Sequence, residues 1–244
     1  MPQSPPPRQS MNLIRLFFAI ALWPGIYATV LFLARTLQLS IWGSPSFTWM
    51  GPAAFAIGFL TSCLAFFFLP RPKGIYVLGH ELTHALAVWL SGGKVHSIHA
   101  GEQGGKVVAD RVSPLISLAP YVLPFFPIVL GILWLAFIRL WPEMSPYVLF
   151  FLGIWGVVWG YHYAFTADLL PTRQPDFLVY GRIFSISLIV LGNLMVVGLL
   201  LWFTLKPFPA KQALLQLGLE WVRIYTTLAY EISGLLLRYL PRPA

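Results

Sequence analysis

Two stretches of this chain, Val148 to Val158 and Leu188 to Leu201, run almost without a break through apolar side chains over lengths that suit a helix. Membrane barrel strands alternate apolar and polar residues, and these runs do not. Hydrocarbon offers no partner to backbone N–H and C=O groups, so such segments satisfy them internally as helices of about 20 residues. Charged residues are only 10% of the 244, against about a quarter in an ordinary soluble domain, so lipid is the expected solvent.

The expected fold class is an all-α polytopic membrane protein with six apolar spans, near residues 12–36, 48–70, 74–92, 112–140, 145–167 and 177–205. Residues 1–11, rich in Pro and polar groups, read as a disordered tail, and the run after them is too long for a signal segment, so it reads as a retained first span. The region 12–205 then forms the membrane core. Pro120, Pro124 and Pro127 predict a kink in the fourth span, because each removes a backbone donor from the helix ladder. Between spans three and four, two short runs that include β-branched residues flank Gly101-Glu102-Gln103-Gly104-Gly105 and read as a β-hairpin. In the segment 206–244, Gln216, Glu220, Arg223, Thr227 and Glu231 trace a narrow polar stripe on an amphipathic helix. That helix would lie flat at the interface, or insert with its stripe against protein.

The net charge of +8 does not point to nucleic acid, since the sixteen Lys and Arg stand singly near the ends of apolar runs, where they meet lipid headgroups. The bilayer itself is the expected partner. Cys63, the only cysteine, lies in an apolar run, can form no disulfide within the chain and is expected to pack there.

Against this background His80-Glu81-Leu82-Thr83-His84 stands out. Residues i and i+4 share a helix face, so both imidazoles can reach one metal ion. Glu81 is then placed to take a proton from a metal-bound water. Chance would supply these three fixed positions in roughly one chain of this length in a hundred or two, so the motif needs its context. That context is a predicted span, where ionisable groups are costly and mark function. A third ligand must come from elsewhere, and Asp168 and Asp176 bracket a run between two apolar spans. His96, His99 and His162 read as polar lining rather than ligands.

Three blocks together resemble the site-2 protease family of intramembrane zinc metalloproteases, in particular the compact bacterial members without a PDZ domain. They are Gly79 to Ala87, the hairpin start Gly92-Gly93-Lys94-Val95, and the run Asp168 to Asp176. The resemblance covers roughly residues 74–180. It implies one zinc per chain on His80, His84 and Asp176, with Glu81 as catalytic base. It implies a substrate-positioning role at Asp168, where the family carries Asn, although an ionised carboxylate can only accept hydrogen bonds. Phe177 replaces the family's usual Gly. The resemblance further implies transmembrane protein substrates held extended along the hairpin edge, and a plasma membrane in a bacterium; a homo-oligomer is compatible with it.

Two other functions fit the sequence. One is a relative that keeps the zinc without turnover, which the retained Glu81 disfavours. The other is a transporter with intramembrane ionisable groups, which the lack of internal symmetry disfavours. The basic residues favour cytoplasmic termini, whereas the resemblance opens the site toward the cytoplasm, so sidedness stays open.

Overall fold

The structure is a computed structural model and describes residues 13–42, 48–172, 174–205 and 209–239. The expected disordered tail at 1–11 lies outside the described residues. Helices dominate: α1 (Leu13–Trp42), α2 (Met50–Phe68), α3 (Lys73–Leu90), α4 (Pro114–Leu118), α5 (Phe125–Leu140), α6 (Val148–Leu169), α7 (Pro175–Leu178), α8 (Arg182–Leu205) and α9 (Ala210–Tyr239). A two-stranded antiparallel sheet, β1 (Val95–Gly101) and β2 (Gly104–Ala109), follows α3. The chain is therefore all-α with one small hairpin, as its composition predicts.

Four helical segments are long and apolar enough to cross a membrane, within Leu13–Ile41, Met50–Phe68, Pro142–Leu169 and Arg182–Leu201. A fifth arises if Pro114–Tyr121 and Phe125–Leu140, bent by 73° at their junction, count as one broken span. This marks a membrane protein. The expected third span is present as helix α3 but falls short of that standard, and His80, Glu81 and His84 on it are the physical reason.

The described residues fall into two compact units. The first, Thr48–Ser185, contains α2 to α7 and the hairpin. Here α2 and α6 approach until backbones touch. A Cβ added at Gly58, Gly156 or Gly160 would collide with a main-chain carbonyl of the facing helix, so only glycine permits this spacing, as in other tightly packed membrane helices. The Cys63 thiol donates to the Gly160 carbonyl at 3.8 Å, which makes the lone cysteine part of this interface. Phe66, Tyr76 and Phe165 close a small aromatic core among α2, α3 and α6, with ring centroids 4.9 Å (Phe66 to Phe165) and 4.5 Å (Tyr76 to Phe165) apart.

The second unit holds α1, α9 and α8 from Ile186 onward. Along α9, Trp221 covers Gly25 and donates its indole N–H to Thr29 Oγ1 at 3.0 Å, and buried Glu220 is paired with Arg35. The polar stripe of α9 thus meets protein at Glu220.

Candidate metal site

The C-terminus of α3 fixes where the hairpin stands. Gly92, at φ +72°, donates to the Trp89 carbonyl and Gly93 to the Val88 carbonyl, both at 2.9 Å, a left-handed stop that turns the chain straight into β1. Asp110, just after β2, accepts from the Lys94 backbone N–H at 2.7 Å, and the Arg111 guanidinium donates to the Ser91 carbonyl. The first bond closes the base of the hairpin and the second ties it to the C-terminus of the helix bearing His80, Glu81 and His84. Its register pairs Val95 with Ala109 and, after a bulge, Ser97 with Val108 through to Gly101 with Gly104.

The broken segment after the hairpin supplies the next part. Pro120 lacks the N–H that would bond the Ile116 carbonyl four residues back, and that carbonyl lies 2.9 Å from His84 Nδ1. A carbonyl only accepts, so Nδ1 carries the proton and Nε2 presents a bare lone pair. The 3-10 turn Ala119–Tyr121 then buries Tyr121 with its ring 5.0 Å from that of His80.

The third part arrives on α7, whose first turn carries Asp176. Phe177, 1% exposed, wedges against Tyr121 at 4.7 Å between ring centroids and anchors this four-residue helix. Phe177 is thus a packing residue that holds its neighbour in place.

Asp176 Oδ2 lies 3.6 Å from His80 Nε2 and 3.7 Å from His84 Nε2, and Tyr121 donates its hydroxyl to the same oxygen at 2.9 Å. One ligand atom from each of His80, His84 and Asp176 falls within 4.8 Å of the others, a group that could hold a metal ion. Burial pushes the Asp176 carboxyl up, but the neighbouring imidazoles outweigh it and hold the group well below the ordinary carboxylate range. It is therefore anionic at neutral pH.

Glu81 is buried at 7% exposure beside this group. The β2 backbone crosses directly over it: a Cβ built at Gly105 would fall 2.6 Å from Glu81 Oε1. Asp168 is not part of the metal group. It sits at the end of α6, half-exposed, 3.3 Å from Arg71, whose guanidinium also bonds the Phe66 carbonyl and lies over the Phe66 ring at 4.1 Å. His96 and His99 are exposed on β1, and His162 is buried on α6; none joins the metal group.

Sequence reasoning did not single out Tyr121 or the Ile116 carbonyl. The signal for both is the proline cluster at 120, 124 and 127, which marks where a backbone carbonyl loses its helical donor and where the chain turns a side chain inward.

No family model, curated protein or solved structure matches this chain.

Proposed function

We propose that this chain is an intramembrane zinc endopeptidase of the site-2 protease type, which hydrolyses peptide bonds in or near transmembrane segments of other membrane proteins, with a bacterial plasma membrane as its setting. The observation that carries the proposal is the convergence of His80, His84 and Asp176 beside a buried Glu81, in a chain with four helices long and apolar enough to cross a membrane.

The donor set suits zinc better than magnesium or calcium, which favour oxygen-rich shells. Ligands held about 2.0–2.1 Å from a tetrahedral centre stand roughly 3.3–3.4 Å apart, so the 3.6 and 3.7 Å separations of Asp176 Oδ2 from the imidazoles need only slight closure. Zinc, when bound, would polarise the scissile carbonyl and make its water acidic. Glu81 would be placed to accept the proton from that water and return it to the leaving amine. Tyr121 orients Asp176 through its hydroxyl, whereas Asp168 is paired with Arg71 outside the metal group. A substrate helix has its carbonyls tied up internally, so the scissile segment must unwind. The hairpin offers an edge at which an extended segment can pair through its main chain, next to Glu81.

The deciding experiment is cleavage of a model single-span protein by purified chain in detergent or nanodiscs. Wild type should cut it, a strong chelator should stop the reaction and zinc should restore it. Glu81→Gln should keep zinc and lose activity by a factor on the order of 10³ or more. A Glu81→Gln variant within about tenfold of wild type would remove Glu81 as the base.

A further inference from the structure

A small cavity opens between α3, the broken segment and α6, with Tyr76, His80, Thr83, Phe126, Tyr161 and His162 among the residues that line it. It has room for about one water molecule and none for a substrate side chain. Its walls are mostly apolar, yet three buried polar atoms of residues that line it have no protein partner: the Tyr76 hydroxyl, His80 Nδ1 and His162 Nε2. The Tyr76 ring flanks both, its centroid 5.8 Å from that of His80 and 6.5 Å from that of His162.

An unpaired imidazole nitrogen in such surroundings is costly, and two of them on one cavity share a single remedy. We propose that this cavity is a structural water site, in which one buried water accepts the Nδ1 proton of His80 and donates to His162 Nε2, so that His162 positions His80 as a metal ligand. The logic parallels His84. There the Ile116 carbonyl takes the Nδ1 proton and leaves Nε2 free for the metal. His80 has no carbonyl in reach, and the bridging water does the same for it. His162 is a positioning residue: it touches neither metal nor substrate and acts through the water on the tautomer and ring angle of His80. The metal half of this inference rests on the zinc reading above, whereas the water itself does not.

Two measurements on the full-length protein in nanodiscs test it. The first is zinc affinity by competition with a chromophoric chelator. His162→Phe should weaken binding by about 10- to 100-fold, the usual effect of removing an outer partner of a ligand, and His162→Gln, which keeps a hydrogen-bonding group in the cavity, should recover most of it. The second is hydroxyl-radical labelling by a brief X-ray pulse, in which ordered water generates radicals in place. Tyr76 and His162 should be labelled despite their burial, and His162→Phe should abolish the label on Tyr76. Unlabelled Tyr76 and His162 in the wild type would overturn the water site. Wild-type zinc affinity in His162→Phe, or Gln no better than Phe, would overturn the positioning role. A wild type that labels at Tyr76 but binds no zinc would uphold the water and overturn the metal reading instead.

Discussion

The Tyr121 hydroxyl lies 2.9 Å from Asp176 Oδ2, the same oxygen that faces both His80 and His84. A single carboxylate oxygen is thus held from three sides, and the phenol decides which way it points. Tyr121→Phe removes that bond while the ring keeps its packing on His80 and Phe177. Zinc affinity should fall about 10- to 100-fold. The melting temperature should change little, because a phenylalanine fills nearly the same space. Chelator competition and a thermal melt on one preparation check both; unchanged affinity would show that the hydroxyl does not orient the ligand.

Asp176 and Asp168 should respond in opposite ways to the same substitution. Asp176→Asn takes an anionic oxygen from the metal group, so zinc content and cleavage should fall together. Asp168→Asn removes only a half-exposed pair with Arg71, worth about 0–1 kcal/mol, and should leave zinc content at the wild-type level with activity within a few fold. Elemental analysis of the two variants decides it. A zinc-free Asp168→Asn beside a zinc-loaded Asp176→Asn would transfer the ligand role to Asp168.

How far the site was legible follows from what kind of signal each part leaves. His80 and His84 are one helical turn apart, so spacing alone puts them on one face. The hairpin and the broken fourth span also show locally, through Gly101 to Gly105 and through three prolines. Asp168 and Asp176 could not be separated by local pattern, because what distinguishes them is a partner distant in sequence: Arg71 for one, two imidazoles and Tyr121 for the other. The placement of α9 was undecided for the same reason, since an amphipathic stripe records that polar residues share a face and not whether water or Arg35 meets it. The close approach of α2 and α6 depends on glycines that in sequence are indistinguishable from ordinary small residues of a membrane helix.

Within the second unit, Arg35 and Glu220 form an ion pair in which Glu220 is buried and Arg35 half-exposed. Removing Arg35 leaves the buried carboxylate only the more distant and exposed Arg223, 3.9 Å from its other oxygen, which costs more than removing both members of the Arg35 pair. Arg35→Ala should therefore lower the melting temperature of the full chain clearly, while Arg35→Ala combined with Glu220→Leu should recover part of the loss. A thermal melt in detergent reads this, and a double variant worse than the single one would mean that the pair is not what joins α1 to α9. Zinc content should stay at the wild-type level in both, since no residue of the metal group lies in this unit.

Gly105 tests whether the strand lying over Glu81 is part of the working site. A Cβ there would come within 2.6 Å of Oε1 and 2.7 Å of Cδ of Glu81, too close for either to stay where it is. Gly105→Ala must therefore lift the hairpin or turn the Glu81 side chain aside, and both disturb the proton acceptor without touching a ligand. Zinc content should be unchanged and cleavage should drop by about tenfold or more, the scale expected when a proton-transfer group is misplaced. Gly101 is the matched control. It lies in the same hairpin, its added Cβ meets nothing within 4 Å, and its φ is not in the left-handed region, so Gly101→Ala should cut substrate at the wild-type rate. Equal activity in the two variants would mean that the hairpin moves away from Glu81 before the chemistry begins, and that the contact over the glutamate has no part in turnover.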